Sequence, residues 1–322
     1  MRDFSNLIPL EMQPSSADYL GILPSLEVLP FFADEFQRHL PGEDFPFHLK
    51  PFSSYGEISR SLLTRKLVAG IIPWEIFIAD ILALPGQRAC WKIPIFLQAC
   101  PTELVLREPI YKAFYAPAGT GPAKLPQRLS IGIESQHSLT KVQLREWLAH
   151  WKATHSTTLT FTMLPMETRM EALQNGSVDA IIARSPWGIH AEASGLGRRD
   201  LRFNRSKYHQ RLVLVCHREF LEKNPQLSQK LSLGIAHART QLKTSSAFSK
   251  AIESMTDLGK PFIRPRMLEK AADLHSFSSL DDDVIPDIKQ LVSELMLLGD
   301  LAILPSQVAA SEQTARLLLP CQ

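Results

Sequence analysis

Long apolar runs are missing from this chain. No stretch approaches the ~20 uninterrupted apolar residues a membrane-crossing helix needs, so no transmembrane helix is expected. Cysteine is scarce: Cys90, Cys100, Cys216 and Cys321 show no C-x-x-C spacing and have no neighbouring His pair. That argues against a zinc ribbon and a redox dithiol and leaves buried or idle thiols as the expectation. Charge of one sign is also absent in excess. The 35 Lys and Arg against 33 Asp and Glu leave a formal +2, with no long basic run to attract nucleic acid or an anionic membrane.

Catalytic signatures are missing too. No nucleophile motif, Gly-rich phosphate loop or H-E-x-x-H occurs, so no catalytic residue is assigned and neither a cofactor nor a metal is expected. The run Gly195-Leu196-Gly197-Arg198-Arg199 imitates a phosphate loop only superficially, because it follows a helical pattern instead of a strand, and it reads as a surface turn. Asp281 to Asp283 lack EF-hand spacing and read as a solvated run. The opening segment MRDFSNLIPLEMQPSSADYLGI has neither the apolar core nor the small-residue cleavage site of an export signal. As written, the expected location is the cytoplasm; a mis-assigned start or a trimmed signal would make it the periplasm.

What is present is a plan stated twice. Leu67 to Trp74 (LVAGIIPW) is a strand pattern ending in Pro-Trp, and Ser177 to Trp187 (SVDAIIARSPW) repeats it, the second Trp standing 113 residues after the first. Each copy is preceded by the same order of strands: Tyr19 to Leu23 and Phe47 to Pro51 before the first, Arg128 to Ile133 and Thr158 to Leu164 before the second. Strand–helix–strand units with short connections build open, mostly parallel sheets, whose ligands sit beyond the C-terminal ends of the strands. Two such lobes imply a cleft between them. The expected α/β chain divides into lobe 1, residues 17–125 plus 205–322, and lobe 2, residues 126–204.

Helical spacing of apolar residues predicts helices over Ser25–Leu40, Thr140–Ala153, Arg218 onward through Ile235, and Ile285–Leu298. A further helix, Glu75–Leu84, is apolar on most faces and is expected to be buried. Ser54 and Glu57 have the S-x-x-E spacing of a capping box. Glu103–Leu106 reads as a strand, and Leu212–Cys216 as one that returns the chain to lobe 1.

Leu63–Ile72 (LTRKLVAGII), Leu173–Trp187 (LQNGSVDAIIARSPW), Arg218–Pro225 (REFLEKNP) and Leu291–Leu301 (LVSELMLLGDL) together resemble the nitrate, bicarbonate and sulfonate receptors of ABC importers. The resemblance spans about residues 18 to 305 and implies a two-lobed type II periplasmic-binding-protein fold. It implies that Tyr55 and His137 contact a small anion, both at predicted helix starts where unpaired N–H groups favour negative charge. Ser53, Ser54, Gln136, Ser138 and Thr140 could add hydrogen bonds, and Trp74 and Trp187 either line the cleft or pack at their turns. Glu75, facing the cleft, would repel an anion or attract an amine.

The chain departs from that pattern in two places. Leu212 stands where nitrate receptors carry a lysine, with Arg211 and Lys207 as candidate substitutes, and Ser185 replaces an acid before the second Pro-Trp. The implied partners are a small ligand and an ABC permease, with no direct nucleic-acid contact. Two alternatives remain open: a cytoplasmic sensor of the kind that sequesters an antiterminator, and an enzyme on the same fold, of the menaquinone or thiamine-pyrimidine type.

Overall fold

The computed structural model describes residues 19–40, 45–82, 84, 90–97, 102–115, 126–135, 138–151, 157–203 and 211–258. The strands are β1 (Tyr19–Ile22), β2 (His48–Pro51), β3 (Ala69–Pro73), β4 (Trp91–Phe96), β5 (Thr102–Leu106), β6 (Arg128–Ile133), β7 (Thr158–Met163), β8 (Ala180–Arg184), β9 (Arg198–Asp200) and β10 (Leu212–His217). They form two five-stranded sheets, ordered β2-β1-β3-β10-β4 and β7-β6-β8-β5-β9. In each sheet the first three strands are parallel and the fourth runs antiparallel to the third. The duplicated sequence plan is therefore a duplicated topology.

The helices are α1 (Asp34–His39), α2 (Tyr55–Leu63), α3 (Trp74–Leu82), α4 (Glu108–Tyr115), α5 (Thr140–Ala149), α6 (Met166–Asn175), α7 (Trp187–Ala193), α8 (Arg218–Lys223), α9 (Leu227–Gln241) and α10 (Ser245–Leu258). None of the described helices is long and apolar enough to cross a membrane. The single helix expected over Ser25–Leu40 is two elements: a 3-10 helix, Leu26–Phe32, and then α1. Pro30 has no N–H to give to a helical ladder, and Ala33 is extended at ψ 141°. Pro225 separates α8 from α9 in the same way, and α5 stops at Ala149 instead of Ala153.

Expectation and structure differ most where the chain crosses between lobes. Residues 17–125 were expected in lobe 1, yet β5 is hydrogen-bonded between β8 and β9 in the second sheet. The chain thus changes sheets between Leu97 and Thr102. The apolar run at Glu103–Leu106 marks a strand but carries no sign of which sheet it joins. The return by β10 is as expected, paired with β3 and β4.

Each lobe has its own core. The first is built on Leu20, Ile71, Phe77, Leu214 and their neighbours, and α3 is buried along nearly its whole length. The second lobe has one cluster around Leu129, Ile131 and Trp147 and another around Met166, Leu173 and Ile181. The helix predicted at Ile285–Leu298, the acidic run at Asp281–Asp283, and Gln136, His137 and Lys207 lie outside the described residues.

Candidate functional site: a closed cleft lined with paired charges

Open α/β sheets present their strand C-terminal ends to a ligand, and here those ends carry charge. Glu27 follows β1, Tyr55 opens the helix after β2, and Glu75 lies in the first turn after β3. From the second lobe come Glu134 after β6 and Arg184, the last residue of β8. The lobes meet across these groups. Arg184 Nη1 donates to Glu27 Oε1 at 2.8 Å, with side chains only 1% and 0% exposed. The Arg184 guanidinium also lies 5.3 Å from the Tyr55 ring centre.

Behind this pair, Glu134 stands 3.9 Å from Arg184 and 3.8 Å from Arg169, which donates to the Ile182 carbonyl. Burial alone would lower the Arg184 pKa, but Tyr55, Glu134 and Glu27 outweigh it and raise the pKa, so the guanidinium is held charged. For Arg169, burial wins over Glu134 and lowers the pKa. A buried ion is tolerated only when paired and hydrogen-bonded, which is what this chain of acids and guanidiniums achieves.

A second contact crosses the cleft. Glu75, fully buried on the first lobe, accepts from the backbone N–H of Leu139 at 3.5 Å, the N-cap residue of α5. The helix end that favours negative charge thus faces a carboxylate of the opposite lobe. Apolar side chains complete the closure: Leu139, Val142 and Ile189 of the second lobe belong to the first lobe's core. Trp187 packs against clusters of both lobes.

The candidates named from the sequence fall into four groups. Tyr55, Glu75, Ser138 and Trp187 are at the lobe interface. Ser138 Oγ lies 2.7 Å from Thr140 Oγ1 and donates to Glu134 Oε1 at 3.2 Å. Ser54 is the cap of α2: its Oγ accepts from the Glu57 N–H, while Glu57 Oε2 accepts from the N–H and Oγ of Ser53. Trp74 is buried in the first core. The Trp74 backbone N–H donates to the carbonyl of Arg211, which places half-buried Arg211 beside the β3–α3 turn. Gln136 and His137 lie outside the described residues.

Glu27, Glu134, Arg169 and Arg184 were not anticipated. Arg184 and Glu134 could have been found, since each is a charge at the C-terminal end of an apolar strand. Glu27 could not: inside LEVLPFF it reads as the solvent side of an amphipathic helix. A neighbouring, partly buried set joins β5 to β9 and α7. Arg199 holds Glu103 and Glu192, each at 3.0 Å, and Ser185 Oγ donates to Glu103 at 3.4 Å. Burial pushes the Glu103 carboxyl up, with Arg199 opposing.

Two lobes of like topology, with polar groups converging between them, define the type II periplasmic-binding-protein class of fold. The chain belongs to the NMT1-like family, whose model matches residues 13–255. Among solved structures it is similar to the periplasmic nitrate-binding protein of Synechocystis PCC 6803, at 13% identity and TM-score 0.71, covering 94% of this chain and 86% of that one. It is similar to the zinc-bound ligand-binding component of an ABC-type import system from Staphylococcus aureus, at 14% identity and TM-score 0.65, covering 88% and 92%. A third likeness is the alkanesulfonate-binding protein of Xanthomonas axonopodis pv. citri bound to MOPS, at 13% identity and TM-score 0.64, covering 95% and 99%. No curated protein sequence matches this chain.

Proposed function

We propose that this chain is a solute-binding protein of the ABC import type, and that its lobes close on a small dipolar solute such as a short aminosulfonate or amino carboxylate. The carrying observation is the buried Glu27–Arg184 pair between the lobes. When the cleft opens, lobe 1 offers two acids, Glu27 and Glu75, and lobe 2 offers a guanidinium and the N-terminus of α5. A solute with an anionic end for Arg184 and an ammonium for Glu27 re-pairs both sides. A bare anion such as nitrate or bicarbonate would take Arg184 but strand Glu27, and breaking a buried pair that way costs about 3–5 kcal/mol.

The binding reading over an enzymatic one is supported by the structural relatives, which are named as binding proteins, and by the sequence's lack of catalytic motifs. A ligand that bridges the lobes shifts the population toward the closed form, the state a permease would read.

The test is a thermal-shift panel comparing taurine, ethanesulfonate, short amino acids, nitrate and bicarbonate, because a ligand bound only by the folded state raises the melting point. The expected result is a rise with an amino-bearing member that exceeds the rise with ethanesulfonate. A rise with nitrate or bicarbonate alone would overturn the dipolar assignment.

A further inference from the structure

Away from the cleft, α1 and α9 pack against each other and bring together three side chains with metal-ligating atoms. Glu35 and His39 are one helical turn apart on α1, and His237 faces them from α9. Their ligand atoms lie within 4.8 Å of one another. The two imidazole rings are 4.0 Å apart between centres. Glu35 Oε1 stands 3.3 Å from His39 Nε2, while Arg38 holds the other carboxylate oxygen at 2.9 Å. We propose that Glu35, His39 and His237 form a binding site for a borderline divalent metal ion of the zinc and nickel class.

The backbone beneath the cluster is fixed on both sides of His237. Gly234, one turn earlier on α9, has no room for a side chain: a Cβ there would lie 2.9 Å from Leu40 and 3.1 Å from Phe36. The glycine lets the helices approach closely at that level. One turn later, Gln241 Oε1 accepts from the Glu35 N–H at 3.0 Å. His237 is therefore held opposite the Glu35–His39 turn by contacts that leave the three ligating side chains unused.

Two imidazoles and one carboxylate select zinc, nickel or copper over magnesium and calcium, which prefer all-oxygen shells. Three protein ligands leave a fourth tetrahedral position for water. Bonds of about 2.0–2.1 Å require ligand atoms about 3.3 Å apart. Small rotations of the exposed histidine side chains close that gap. An ion bound here would pin α1 to α9.

The experiment uses the full chain stripped with a chelator, titrated with zinc in competition with a chromophoric chelator and with cobalt as a spectroscopic substitute. The site predicts one zinc per chain and a cobalt absorption band of low coordination number. It also predicts a loss of at least about 10-fold in zinc affinity in each of His39→Ala, His237→Ala and Glu35→Ala. The residues are at the surface, so the metal-free variants should melt close to the unaltered protein. Absence of stoichiometric binding, or zinc affinity unchanged in all three variants, would overturn the site.

Discussion

A guanidinium as buried as that of Arg184 has to be neutralised where it sits, and Glu27 does this across the lobe boundary. Truncating one partner strands the other, so Arg184→Ala should cost about 3–5 kcal/mol in urea unfolding. Replacing both, Glu27→Gln with Arg184→Gln, should cost much less; equal losses would mean that the pair is not the relevant interaction. Buried His217, edge-on to Trp91 at 5.2 Å, carries a second residue-scale prediction. Burial, then the charge of Arg65, lowers its pKa from 6.5. The unfolded chain therefore takes the proton first, and the stability His217 contributes is complete above 6.5 and is lost as pH falls through the lower folded value. His217→Phe should flatten the decline of the urea midpoint below that pH, and an unchanged slope would count against it. At this scale the sequence was partly legible. Tyr55 was placed beside the cleft by the family resemblance and Glu75 by its position next to Trp74, whereas Glu27 and Arg169 depend on which helix face turns inward, a tertiary fact.

At the scale of elements, the cap of α2 decides between two roles for one residue. Ser54 Oγ accepts from the Glu57 N–H, and Glu57 answers through Ser53, one residue earlier than the sequence spacing implied. Ser54→Ala should lower stability by about 0.5–2 kcal/mol, the usual worth of an N-cap, with solute affinity nearly unchanged. Strong loss of affinity with no loss of stability would make Ser54 a ligand contact instead. Strands and helices were legible wherever the apolar period was long, as in β3, α3 and β10. The breaks at Ala33 and Asn224 were harder to read, although Pro30 and Pro225 were the visible warnings. The placement of β5 was not legible at all, because a short apolar run pairs equally well with either sheet.

At the scale of the whole molecule, the duplicated Pro-Trp plan becomes two sheets with the same strand order, and the cleft between them is where the charges converge. The repeat announced both lobes and their meeting line, since like sequence patterns fold to like topology. The nature of the meeting was hidden, because each lobe supplies half of the two contacts that cross it, Glu27 with Arg184 and Glu75 with the Leu139 N–H. Lobe 1 brings the acids Glu27 and Glu75, lobe 2 brings Arg184, backed by Glu134, and a helix N-terminus, and the proposed solute carries both signs. The most direct measurement is isothermal titration of the best ligand from the panel into the unaltered protein and into the Glu27→Gln, Arg184→Gln double variant. Loss of charge-assisted hydrogen bonds worth about 1.5–3 kcal/mol predicts affinity about 10–100-fold weaker in a variant that still melts cooperatively. Equal affinity in both proteins would place the solute elsewhere and contradict the account.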